Sequence, residues 1–139
     1  MEFIIHQEPI AKKRHRHGKH GGYDEQHKEK NSLKWQFGSQ MRENGHKRLS
    51  RDPLDVAVRC YCSPPKTLSQ AKKRALEGQF KTKKPDADNY FKFYTDVLNG
   101  IAYEDDNLIS SMSCFKKYSE NPRVEITIKS LNETKEKSW

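Results

Sequence analysis

Residues 87–99 form one segment that no simple loop or lone surface helix would tolerate. Set at 100° steps, Tyr90, Phe91, Phe93, Tyr94, Val97 and Leu98 fall on one arc. Asp88, Asn89, Lys92, Thr95, Asp96 and Asn99 fall on the other. Pro85 biases Lys84 toward an extended conformation, Asp86 stands where a helix N-cap belongs, and Gly100 closes the far end. A helix with so full an apolar arc needs a second layer to cover it.

Strands supply that layer. Residues 55–62 alternate, with Val56, Val58, Cys60 and Cys62 on one side and Ala57, Arg59 and Tyr61 on the other; Ser63-Pro64-Pro65 ends the run. Residues 123–129 place Val124, Ile126 and Ile128 inward and Arg123, Glu125, Thr127 and Lys129 outward. With 106–118 they predict a hairpin. Residues 2–6 read as a short apolar strand before Pro9. A helix is predicted over 32–44, with Leu33, Phe37 and Met41 on one stripe and Gly45 as terminator, and a short basic one over 69–77, closed by Gly78. Residues 11–30 are polar and glycine-containing and predict a loop. The order βαβααββ predicts the α/β (α+β) class: one domain over 1–131, a mixed sheet with helices packed on it, then a polar tail at 132–139. There is no internal repeat.

Composition narrows the partners. The net charge of +8 and pI near 9.4 attract a phosphate backbone, although a merely soluble basic protein shares them. Hydrophobic residues make up only 32% of the 139, so the core is small and a dimer interface could supplement it. No apolar run approaches the roughly 18 residues of a membrane span. Residues 1–5 are too short and lack the basic start of a signal peptide. Cys60, Cys62 and Cys114 make no disulfide framework and fit a reducing cytoplasm as small core residues. Cys60-x-Cys62 lacks the second pair a zinc site needs.

Against that basic background the acids are concentrated. Asp86 and Asp88 flank the start of the central helix, and Asp105-Asp106 follow its end, where a short return through Asn99-Gly100-Ile101 could bring them back to it. Two carboxylates about 4 Å apart repel by roughly 4 kcal/mol in a partly shielded site. A divalent cation between the oxygens removes that cost, and an all-oxygen site suits Mg²⁺ or Mn²⁺ better than zinc. For the helix alone a plainer account exists: Asp86 caps it, Asp88 complements its dipole, and Lys92 pairs with Asp88 at i,i+4. That account leaves Asp105-Asp106 unexplained. A carboxylate-held metal on a protein that attracts polyanions points to a nuclease.

The run Lys84-Pro85-Asp86-Ala87-Asp88-Asn89, then Lys92, Asp96, Leu98 and Gly100, then Asp105-Asp106 and Ile109, closely resembles the RusA family of Holliday junction resolvases. The basic lead-in from Ser69 to Lys84 and the early run Lys12-Lys13-Arg14-His15-Arg16 are similar too, so the resemblance covers residues 3–131. It implies that Asp86, Asp88, Asp106 and Lys92 are the essential residues, with Asp105 matching the first acid of the pair. It also implies a homodimer that uses Mg²⁺ or Mn²⁺ to make paired nicks across a four-way junction, leaving 5′-phosphate and 3′-hydroxyl ends. Ala87 stands where a larger aliphatic residue is commoner, and the 11–30 segment is unusually long and His-rich. In such a site the metal polarises the phosphate and activates water, and Lys92 stabilises the developing charge.

Two basic groups are candidates for DNA contact. Lys12, Lys13, Arg14 and Arg16 sit in a segment read as a mobile phosphate-contacting arm; its His15, His17 and His20 could alternatively bind a transition metal. Lys72, Lys73, Arg74, Lys81, Lys83 and Lys84 form a second patch, or else a merely solvated face. The aromatic residues of the central helix belong to the core or a dimer interface rather than to a wedge in the junction. Besides a structure-selective resolvase, a less selective flap or fork nuclease and a non-catalytic basic nucleic-acid-binding protein remain as alternatives.

Overall fold

The computed structural model describes residues 1–13, 16–18, 21–23, 26–46 and 50–132, and only the backbone of 16–18 and 21–23. Among them run β1 (Glu2–Ile5), β2 (Arg16–Gly18), β3 (Gly21–Tyr23), α1 (His27–Glu43), β4 (Leu54–Cys62), α2 (Gln70–Leu76), α3 (Ala87–Leu98), β5 (Ile109–Tyr118) and β6 (Arg123–Ser130). A 3-10 turn, Asp106–Leu108, leads into β5. The main sheet has the order β1-β6-β4-β5, parallel between β4 and β5 and antiparallel elsewhere. The predicted class, a mixed sheet with helices packed on it, therefore holds.

The core sits where the alternation places it. Leu54, Val56, Val58, Cys60 and Cys62 are all buried, while Asp55, Ala57, Arg59 and Tyr61 are only partly so. Each such apolar side chain contributes about 1.5–3 kcal/mol on burial. A slip of one residue would turn the whole set outward, which fixes the register. Phe3, Ile5, Val124, Ile126 and Ile128 extend the same face, and α1 and α3 pack on it with Leu33, Phe37, Met41 and the aromatic arc. On the other face long side chains cover one another. The Arg123 guanidinium lies 3.8 Å from the Tyr61 ring centre, and Lys117 stands 4.8 Å from the rings of both Phe80 and Phe115.

The predicted hairpin does not form. β5 and β6 are not neighbours, because β4 lies between them. Residues 119–122 cross the end of β4, where the Ser119 amide donates to the Cys62 carbonyl at 2.8 Å. Two strand spacings come to roughly 10 Å, a distance four residues can span. Burial explains the choice. β4 has the longest fully buried alternation, and only the sheet centre gives it a partner on both edges.

The 11–30 segment also departs from a plain loop. It holds a small β2–β3 ladder, pairing Arg16 with Tyr23 and Gly18 with Gly21, and the first turn of α1, which begins at His27 rather than at 32. Three-residue strands carry too little alternation to read from sequence. The early helix start has a tertiary cause. Gln26 is buried, its side-chain amide donates to the Ala11 carbonyl at 2.8 Å, and its oxygen accepts from the Lys13 amide at 2.9 Å. Arg14, His15, His20 and tail residues 133–139 lie outside the described residues, as do the side chains of Arg16 and His17.

Candidate active site

α3 turns its polar arc outward. Tyr90, Phe91, Phe93, Tyr94, Val97 and Leu98 are buried, as an apolar arc requires, and Asp88 and Lys92 are exposed. The inner side is pinned by polar bonds as well. The Tyr94 hydroxyl accepts from the Ile10 amide at 2.9 Å, and the Tyr103 hydroxyl donates to the Thr95 carbonyl at 2.6 Å. Thr95, assigned to the polar arc, is buried instead; its hydroxyl turns back onto the Phe91 carbonyl at 2.9 Å.

Asp88, Lys92 and Asp96 recur every fourth residue, so they make one stripe about 12 Å long on the helix. That stripe lines a cleft of about 270 Å³, together with Phe91, Thr95, Asp106, Ile109 and Met112. The return from α3 is short, as expected, and Gly100 takes the φ of +80° that its turn needs. The structure thus brings Asp88, Lys92 and Asp106 into one concavity. Lys92 Nζ lies 3.7 Å from an Asp88 oxygen, and both side chains are about 60% exposed (61% and 59%). Such a pair adds little to stability, which leaves Lys92 available to another anion.

The other acids are held differently. Asp105 caps the 3-10 turn, accepting from the Asn107 amide at 3.3 Å. The Asp106 carboxyl is pushed above its ordinary range by partial burial, then by the hydrogen bond and charge of Asp105, and then by the charge of Asp96. Asp86 occupies the N-cap position, but its side chain makes no capping bond and stays exposed. Its backbone carbonyl accepts from the Asn89 amide at 3.1 Å, so the helix starts without engaging the carboxylate.

Asp96 received no role from the sequence, although it lies eight residues beyond Asp88 on the same face. It accepts from Lys12 Nζ at 2.6 Å, with side-chain exposures of 29% and 33%. The Lys12 amide also donates to the Asn89 carbonyl at 2.9 Å. Lys12, assigned to a phosphate-contacting arm, is therefore anchored to α3 at the cleft. Nothing in the sequence signals a pairing across 84 positions.

All the ionisable acceptors of the cleft are carboxylates: Asp88, Asp96 and Asp106, with Asp86 and Asp105 close by in the chain. This donor chemistry fits a hard divalent cation such as Mg²⁺ or Mn²⁺. Among the described residues no three His, Cys, Asp or Glu side chains already stand at metal-holding spacing. Cys60 and Cys62 are buried in the core, as expected.

The basic candidates flank this site in sequence. Ser69 caps α2 by accepting from the Lys72 amide at 3.2 Å, and Gly78 closes the helix region at a φ of +78°. α2 buries none of its residues, so Lys72 and Arg74 are exposed and Lys73 and Lys81 are partly so. Lys83 and Lys84 are exposed at the entry to α3. The ion pairs seen among the described residues use none of these six.

Comparison with known proteins adds independent information. A family model described as Endodeoxyribonuclease RusA matches residues 6–129. An uncharacterized protein of Bacillus subtilis (strain 168), YqaN, is 39% identical over 84 residues, which cover 58% of this chain and 59% of the relative. The chain thus matches less than two thirds of that relative's length.

Proposed function

The chain belongs to the RusA endodeoxyribonuclease family, and from that premise we propose that it is a metal-dependent endonuclease that resolves four-way DNA junctions by paired nicks in recombination and repair. The observation that carries this reading is the shared cleft of Asp88, Lys92 and Asp106, assembled from α3 and the turn before β5. Asp86, Asp88, Asp105 and Asp106 would hold Mg²⁺ or Mn²⁺, which supplies a Lewis acid for the phosphate and lowers the pKa of a bound water. Lys92, exposed beside Asp88, donates to a phosphate oxygen and stabilises negative charge as it builds there. Asp96 and Lys12 fix each other at the cleft wall. The exposed Lys72, Arg74, Lys83 and Lys84 take the DNA backbone, with Lys73 beside them, and Lys13, Arg14 and Arg16 extend that contact. A homodimer presents two such sites to two opposed strands.

The test is cleavage of four-way junction, fork and duplex DNA in Mg²⁺, in Mn²⁺ and in chelator, with products mapped. Paired, metal-dependent cuts in the junction alone are expected. Equal cutting of forks would move the reading to a less selective flap or fork nuclease. Binding without any cut would leave a nucleic-acid-binding protein.

A further inference from the structure

We infer that Lys116 is a positioning residue for the acidic site, a clamp on β5 that sets the chain entering α3 and so aims Asp86 and Asp88. Lys116 Nζ donates to the carbonyl oxygens of Lys83 and Pro85, each at 2.7 Å. Two residues earlier on the same strand, Cys114 Sγ donates to the Ala87 carbonyl at 3.3 Å. Three alternate carbonyls, at 83, 85 and 87, are therefore gripped from one strand. Asp86 sits inside that grip.

The grip substitutes for a missing one. An aspartate at an N-cap ordinarily fixes its own turn by accepting from an amide of the first helical turn. Asp86 has the extended backbone of an N-cap, φ −69° and ψ 149°, but makes no such bond. A free carboxylate on an unsupported turn would wander, and a catalytic group displaced by about 1 Å loses rate steeply. Lys116 supplies the support through the backbone and leaves the carboxylate oxygens unused.

Charge argues the same way. Lys81, Lys83 and Lys84 are nearby in the chain, so another ammonium here is repelled unless strong acceptors hold it. Two carbonyl oxygens at 2.7 Å are such acceptors. Lys116 is only partly exposed, unlike the open Lys83 and Lys84, which separates it from the phosphate-contacting lysines. β5 also follows directly on the turn that carries Asp106, so one strand links both acidic groups. Its beginning adjoins Asp106, and its far half holds the carbonyls around Asp86.

This inference rests on the nuclease reading for its effect on rate, but not for the clamp itself. The decisive variants are Lys116→Met, which keeps length and loses the donors, and Lys116→Arg, which keeps them. The amides of Asn89 and Tyr90, which donate to the Asp86 carbonyl inside the grip, should exchange about tenfold faster in Lys116→Met and stay near wild type in Lys116→Arg, measured without DNA or metal. Single-turnover cleavage at saturating junction should fall about 10- to 100-fold in Lys116→Met, with junction Kd within about threefold, and recover in Lys116→Arg. If Lys116→Met does not fold, Lys116→Gln, which keeps a donor but not its reach, takes its place. Unchanged exchange at Asn89 and Tyr90 overturns the clamp. A loss of junction affinity in step with rate overturns it too and makes Lys116 a DNA contact. Should the wild type cut no branched DNA, the nuclease reading falls, while the exchange measurement still decides the clamp.

Discussion

Single residues in this protein carry opposite duties within one cleft. Asp88 pairs only loosely with Lys92, Asp106 shares a hydrogen bond with Asp105, and Asp96 beside them is neutralised by Lys12. Asp88→Asn or Asp106→Asn should lower junction cleavage at least about 100-fold while junction binding persists or strengthens, because charge facing the DNA falls. Near-normal nicking by a purified Asp88→Asn protein in Mg²⁺ would sink that assignment. A second residue-scale prediction lies on the far face of the sheet. The Glu125 carboxyl is held below its ordinary value of 4.5 chiefly by the hydrogen bond from Arg123, which donates at 2.7 Å. A depressed folded pKa gives stability that is fully present above the unfolded value and is lost as pH falls through the folded one. Wild type should therefore exceed Glu125→Gln in urea midpoint at pH 7, and the gap should close on acidification below about pH 4. An equal gap at both ends of that pH range would show that the ion pair is not its source.

At the scale of elements, α2 behaves as an appendage and α3 as the centre of the molecule. α2 buries nothing, so its Lys72, Lys73 and Arg74 are not needed for folding. Replacing all three by Ala should leave the thermal midpoint nearly unchanged and weaken junction binding. For each phosphate that these side chains no longer neutralise, the slope of log affinity against log salt should flatten by about 0.9. An unchanged slope would mean the helix is a solvated face. The amphipathic pattern of α3, its bounds and its terminator were all legible in the sequence, because a 3.6-residue period needs only local order. The β5–β6 arrangement was not. β6 alternates and β5 does not, and even a clean alternation says which face is buried and not which strand lies next door.

For the molecule as a whole, charge and core size point the same way. A chain of 139 residues with 32% hydrophobic content and a net charge of +8 has a modest core and strong attraction for a polyanion. Paired nicks need two sites, so light scattering should show a homodimer, at least on a four-way junction. Only monomer, both free and on the junction, would defeat the paired-cut proposal. No helix among the described residues is long and apolar enough to cross a membrane.

The sequence alone determined the class of fold, the buried faces of α1, β4 and β6 and most of that of α3, and the exposed stripe of Asp88 and Lys92 on α3. Those features follow from periodicity, turn residues and the family motif, which are local properties of the chain. Tertiary structure decided what depends on distance between remote residues. It put β4 between β5 and β6, started α1 at the buried Gln26, turned Thr95 inward, and joined Lys12 to Asp96. It also left the Asp86 carboxylate without a capping bond while Lys116, far along the chain, took hold of the backbone around it. No local rule anticipates such contacts, because hydrogen bonds and ion pairs between distant segments exist only after the sheet has fixed which strands are neighbours.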